Sequence, residues 1–327
     1  AGGLSGGHLT LPNQTVTDIF CSSQIVLPGG SGVFIAGGDV WNGSQVLNSA
    51  NPNTNFYQLS NNTLTAQNNM NRPRWYSTST VLPNGEIYVQ GGSSGGDRPE
   101  VRQANGTFRL LTGANTSSLD TTYPRNFVAP NGIIFGYDSG GRMYNINPAN
   151  TGTYTSRGTF TGPTGADAGA AMYRPGKILQ FGGNSNQSRV IDITGATPVV
   201  TNSGNLLVKR VIVNATVLAD GKVLAIGGSG VWNSLTGVTK YAEIWNPDTG
   251  VWTQHASGAK SRLYHSVSLL LPDASVLVGG GGANSPTTSL PENNNNIEIY
   301  YPPYLYAPGG GFAPRPIITS APTAVAI

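Results

Sequence analysis

The feature that most constrains this chain is a hairpin that recurs at nearly even spacing. Its clearest copy runs from Val217 to Gly228: the β-rich stretches Val217-Leu218-Ala219 and Val223-Leu224-Ala225-Ile226 flank Asp220-Gly221, and Gly227-Gly228 closes the unit. An Asp-Gly turn between two such stretches is a strong signal for an antiparallel pair. Further copies run from Val81 to Gly92 with Asn84-Gly85 at the turn, from Tyr173 to Gly183 with Pro175-Gly176, and from Leu270 to Gly281 with Asp273-Ala274. Val26 to Gly38 has a longer turn, and Val128 to Ser139 has Asn131-Gly132 but lacks the glycine pair. The units end at Gly38, Gly92, Ser139, Gly183, Gly228 and Gly281, about 44 to 54 residues apart. A unit of this size does not bury its own sheet and needs its neighbours to do so.

Between the hairpins lies a second recurring element. Ala242 to Trp252 reads as strand, Asn-Pro/Thr-Gly turn, strand, and Met143 to Tyr154 is a looser copy. Hairpin plus outer pair gives four strands per unit, which predicts an all-β, kelch-like β-propeller. Six units are visible, and seven blades are expected when complete. Residues 1–306 are assigned to the propeller, with its N-terminal blade missing. Residues 307–327, rich in Pro and Gly at first, are assigned to a linker and the start of a truncated C-terminal β-domain. Trp245 and Trp252 are expected to pack between blades.

Composition narrows the function classes. The formal net charge is +3 and no dense Lys/Arg patch occurs, so nucleic acid is not an expected partner. No apolar run approaches the roughly 18 residues of a membrane span. The single cysteine, Cys21, rules out an intrachain disulfide. Sequons at Asn13, Asn42, Asn61, Asn105, Asn115, Asn186 and Asn214 point instead to a secreted or extracellular glycoprotein, with a cell-surface location also open.

Chemistry-bearing residues gather at three inner-strand starts: Asp18 to Ser22, Asn71 to Thr78 and Arg262 to Ser266. Such positions converge on one end of a propeller axis. On an ideal strand Tyr264 and His265 would point to opposite faces, whereas a turn at the strand start brings both inward. A phenolate and an imidazole then form a pair of copper ligands. The ordinary alternative is a strand with a packed tyrosine and a partly exposed histidine; for Cys21 it is a small buried hydrophobe. Arg125, Asp167 and Arg210 stand at the corresponding places of the next three units and are candidate substrate-binding residues, with a bracing ion pair as the alternative for Arg125.

Phe20-Cys21, Arg74-Trp75-Tyr76-Ser77-Thr78 with Val81 to Gly85, and Tyr264-His265-Ser266 with Leu269 to Asp273 follow one another in an order that resembles the galactose oxidase and glyoxal oxidase family of copper-radical oxidases. The tail from Tyr300 to Arg315 is similar as well, and the Arg-Trp-Tyr form resembles the glyoxal oxidases more than galactose oxidase itself. The resemblance implies a thioether between Cys21 and Tyr76, a radical on the linked tyrosine, and copper held by Tyr76, Tyr264 and His265, with Tyr264 as the base. It implies oxidation of a primary alcohol or aldehyde hydrate by O₂ to give H₂O₂. The family's second histidine ligand lies beyond the propeller. Of His8, His255 and His265, neither His8 nor His255 matches it, and His255 is expected on a loop. A separate chain or missing segments would then supply that ligand and the N-terminal blade. The tryptophan that stacks on the linked tyrosine in galactose oxidase aligns with Ser94, and Trp75 is expected to point elsewhere. The rival reading is a non-catalytic extracellular propeller for carbohydrate binding, adhesion or structure.

Overall fold

A computed structural model of the chain describes residues 11–12, 14–162, 164–165, 167–283, 292–317 and 319–320. His8 and Asn13 lie outside the described residues, as do residues 318 and 321–327 of the expected C-terminal domain. The described chain forms six four-stranded sheets, and five of them pair their strands in simple sequence order. In the sixth, the strand Val276–Ala283 pairs with Tyr264–Leu270 on one side and with both Glu292–Asn293 and Ile297–Tyr300 on the other. The expected kelch-like propeller is therefore what the chain forms.

Each predicted hairpin supplies the first two strands of a sheet. The inner strands are Ser23–Val26, Ser77–Val81, Arg125–Val128, Ala168–Arg174, Asn214–Val217 and Tyr264–Leu270. Local turn chemistry explains why. In the fifth sheet the Asp220 carboxylate accepts from Lys222 N–H, and Gly221 takes φ +79°, which closes the turn between Asn214–Val217 and Val223–Ile226. The outer pair Tyr241–Trp245 and Trp252–Ser257 is joined where Asn246 Oδ1 accepts from Asp248 N–H.

Burial between sheets makes the core. Five apolar clusters join the first sheet to the second, second to third, third to fourth, fourth to fifth and fifth to sixth. Trp245 and Trp252 sit in the fourth–fifth cluster as expected, and their indole N–H groups donate to Ser203 and Ser188. Among the described residues no buried cluster joins the sixth sheet back to the first. Ser266 and Ser268 bond Asn214 and Thr216 of the fifth sheet. Val267 and Leu269, alternating with them, therefore face the other way and are 47% and 57% exposed. Val26 of the first sheet is 57% exposed too.

The glycine pairs set how one unit seats on the next. A Cβ on Gly37 would lie 2.2 Å from Arg74 O, and one on Gly227 would lie 2.2 Å from Arg262 O. Gly38 and Gly228 N–H donate to those same carbonyls at 3.0 and 2.9 Å. Close backbone approach, together with positive φ, is why glycine recurs there.

The sheets also sort the sequons. Asn42, Asn61, Asn105 and Asn115 are exposed, each accepting through Oδ1 from a backbone N–H two residues on. Asn186 and Asn214 are part-buried and spend their Nδ2 groups on Leu206 O and Ser266 Oγ. Glycopeptide mapping after secretion from a eukaryotic host should find glycan at the first four and none at the last two. Occupied Asn214 would contradict this placement.

Candidate active site

The site is built from a repeated backbone kink. Cys21 (φ +59°), Tyr76 (+68°), Tyr123 (+48°), Ile212 (+56°) and His265 (+65°) all occupy the left-handed region at inner-strand starts. Bulky residues avoid that region, so its recurrence marks a conformation imposed by the surroundings. Backbone bonds tie three of the kinks in series, Tyr76 N–H donating to Cys21 O and Tyr123 N–H to Tyr76 O, while Ile212 N–H donates to Asp167 O of the neighbouring sheet.

The kinks bring the predicted residues together. The Tyr76 and Tyr264 hydroxyl groups are 2.6 Å apart, although 188 residues separate them in sequence. The Tyr264 and His265 rings stack at 3.8 Å between centroids and line one cavity, with His265 still exposed. Phe20 meets His265 edge-on at 4.7 Å. Arg125 and Asp167 line a cavity of about 230 Å³ with Tyr123, Tyr264, His265 and Ser266. The Asp167 charge also helps raise the pKa of Tyr264.

Three expectations are corrected. Trp75 does not point away: it stacks on Tyr76 at 4.4 Å with 21° between ring planes. The kink at Tyr76 breaks the strand alternation on which that expectation rested. Arg210 does not face the mouth. It is fully buried, donates through Nε and Nη2 to Glu243 and through Nη1 to Gly227 O, and braces its own sheet. His255 lies on the outer strand Trp252–Ser257 rather than on a loop, beside Leu218, Lys222 and Tyr304.

Two residues were missed. Tyr123 sets its ring 4.9 Å from that of Tyr76 and lines the cavity. It stands two residues before the strand Arg125–Val128, close to the place of Tyr76 one residue before Ser77–Val81, which is the signal the sequence carries. Trp232, half exposed on the loop after Gly228, lies 5.6 Å from Tyr264; its long separation in sequence gave no cue.

Electrostatics suit a cation. Burial pushes both phenols above their ordinary pKa, and Cys21 and Tyr264 add to the effect at Tyr76. Partial loss of water lowers the pKa of His265, leaving it neutral and able to ligate. A divalent cation at the shared hydroxyl contact would favour the ionised phenols and offset their burial. Two phenol oxygens in contact, with a neutral imidazole stacked beside one of them, are donor types that fit Cu(II). Among the described residues no group of three or more His, Cys, Asp or Glu could hold a metal instead.

Burial, then the carboxylates of Asp39 and Asp18, push the Cys21 thiol up to about 11, with the Tyr76 hydroxyl partly offsetting them. Only the thiolate is a good nucleophile. Alkylation of Cys21 by iodoacetamide in the metal-free protein should therefore be slow at neutral pH and rise as pH approaches about 11. A rate at neutral pH matching that of free cysteine would contradict this environment.

A kelch-type propeller carrying two contacting phenols, an imidazole and a cysteine at one end of its axis is the class defined by fold and site. Comparison with known proteins bears out the resemblance to the galactose oxidase and glyoxal oxidase family of copper-radical oxidases. The chain is 28% identical over 361 residues to galactose oxidase of Gibberella zeae, covering 98% of this chain and 50% of that protein. It is 23% identical over 359 residues to aldehyde oxidase GLOX of Vitis pseudoreticulata, covering 96% and 65%. The chain thus spans about half the length of the galactose oxidases it matches. No protein-family model matches it. A solved structure described as a novel fungal alcohol oxidase of the AA5 family, in complex with copper, superposes with TM-score 0.80 at 24% identity, over 93% of this chain and 66% of that one. That likeness establishes the fold.

Proposed function

We propose that this chain carries the catalytic propeller of a secreted copper-radical oxidase that converts a primary alcohol or aldehyde hydrate with O₂ to the two-electron-oxidised product and H₂O₂. The observation that carries the reading is the 2.6 Å contact between Tyr76 and Tyr264, with Cys21 and His265 packed around it. Tyr76, Tyr264 and His265 would hold copper, which when bound supplies a one-electron couple beside the phenols. A further histidine ligand is expected from outside the described residues, and a seventh sheet is expected to fill the open faces of the first and sixth.

The chain's own residues divide the remaining work. Tyr264 Oη is the proton acceptor for the substrate hydroxyl, since it borders the cavity where Arg125 and Asp167 can orient a polar substrate. Tyr76 loses and regains one electron. A thioether at its ring would ease that loss, and the stacked Trp75 and adjacent Tyr123 shield it from water. Link formation joins Cys21 Sγ to a ring carbon beside the Tyr76 hydroxyl. The thiol and ring hydrogens leave as two protons and two electrons, which O₂ takes up as H₂O₂. Peptide mass spectrometry of the copper- and O₂-treated protein should find the Cys21 and Tyr76 peptides joined and lighter by two hydrogens. A free Cys21 thiol, with no H₂O₂ released from primary alcohols, would sink the oxidase and favour the carbohydrate-binding or adhesive propeller.

A further inference from the structure

A buried arginine precedes both halves of the site, and a third copy of the same device stands where there is no chemistry. Arg74 is fully buried. Its Nε and Nη2 donate to Glu100 Oε1, its Nη1 to Gly91 O and Gly95 O, and its Nη2 also to Arg98 O. Glu100 Oε2 in turn accepts from Asn71 N–H and Nδ2, so the segment Asn71–Arg74 is fastened at both ends. Arg262 donates to Gly280 O and Glu298 ahead of Tyr264 and His265. Arg210 makes the matching set with Glu243, Gly227 O and Tyr241 O.

We infer that the Arg74–Glu100 ion pair is the positioning device for Tyr76, and that Arg262–Glu298 plays the same part for Tyr264 and His265. The inference rests on the reading of Tyr76 as the redox phenol. Two residues after Arg74 comes the kink at Tyr76, and two residues after Arg210 comes the same kink at Ile212. In these two sheets the brace goes with the kink whether or not chemistry follows, while Cys21 and Tyr123 kink without an arginine two residues before them. What the brace fixes is the backbone on either side: Arg74 N–H donates to Asn51 O, Arg74 O accepts from Gly38 N–H, and Trp75 O accepts from Ser93 N–H. With those bonds held, the left-handed turn at Tyr76 aims its ring toward the axis and lays Trp75 on it. In the sixth sheet the kink falls one residue later, at His265. The consecutive rings of Tyr264 and His265 stack there as Trp75 and Tyr76 do in the second sheet. Arg74 thus acts through Tyr76 and does not itself meet the cavity.

Arg210 provides the control. The metal-free protein is examined by near-ultraviolet circular dichroism, and the aromatic band that disappears in Trp75→Phe reports the stack of Trp75 on Tyr76. Arg74→Lys replaces a planar fork by a single ammonium and should lose most of that band. Arg210→Lys, the same change in the fifth sheet, should lower the melting temperature similarly and leave the band intact. Glu100→Gln keeps volume and a hydrogen-bond acceptor, and should weaken the band in a protein that still folds. The inference is overturned if Arg74→Lys and Glu100→Gln keep the full band, or if Arg210→Lys loses it equally. Neither copper nor turnover is needed. A protein whose band depends on Arg74 but which forms no Cys21–Tyr76 link would keep the brace and lose the oxidase.

Discussion

Replacing Tyr264 by phenylalanine is expected to slow oxidation of a primary alcohol by about 10²–10⁴-fold, the range that a positioned proton acceptor contributes, while sparing the Cys21–Tyr76 link. The two effects separate because Tyr264 meets Tyr76 only through its hydroxyl, whereas Cys21 meets Tyr76 through its own backbone and thiol. Phenylalanine keeps the stack on His265 and the contact with Trp232, so the cavity wall stays in place. What is lost is one oxygen that borders the substrate cavity, shares a hydrogen bond with Tyr76 and is one of the three groups proposed to hold copper, so copper content is measured beside the rate. H₂O₂ release at saturating alcohol gives the rate, and peptide mass gives the link. A loss under about tenfold would show that another group takes the proton, and Asp167, on the same cavity, would be the next to replace. Loss of the link with copper still bound would mean that Tyr264 orients Tyr76 for coupling, and loss of both would mean that Tyr264 holds the metal.

The site was more legible than its surroundings because its residues are rare and ordered. One cysteine, an Arg-Trp-Tyr stretch and a Tyr-His pair, each placed just before a hairpin, need only the radial fold to meet. The hairpins were legible because turn chemistry is local, as at Asp220-Gly221. What sequence order could not supply was the direction of a side chain at a kink. Trp75 was misplaced by applying strand alternation across Tyr76, whose φ of +68° ends it. Arg210 was misassigned because its position at an inner start matches Arg125, yet it turns back into its own sheet. A signal for that existed. Arg74, Arg210 and Arg262 are each followed by a glutamate, 26, 33 and 36 residues on, that becomes its ion-pair partner, fully buried for Glu100 and Glu243 and partly exposed for Glu298. Arg125 has no such acidic residue on the matching strand Arg142–Asn147 and remains at the cavity.

The second large effect concerns that brace as a stabiliser. Arg210→Met should cost about 3–5 kcal/mol of stability, the usual result of removing one partner from a buried ion pair. Both side chains of Arg210–Glu243 are fully buried, so solvent does not screen the loss. Glu243 would keep its bond from Leu207 N–H and be left with an uncompensated charge. The orphaned carbonyls Gly227 O and Tyr241 O, which now accept from Arg210, add to the cost. Adding Glu243→Gln removes the charge while keeping an acceptor for Leu207, and should recover more than half of the loss. Because the fifth sheet contributes Ile212 rather than a ligand to the ring of kinks, both variants should retain the Trp75–Tyr76 stack. Denaturant unfolding monitored by Trp245 and Trp252, which lie in the adjoining core, reads the sheet directly. If the single variant loses less than about 1 kcal/mol, or the double variant is no better than the single, the ion pair is not what holds this sheet, and the packing of Trp245 against Tyr173 becomes the stronger account.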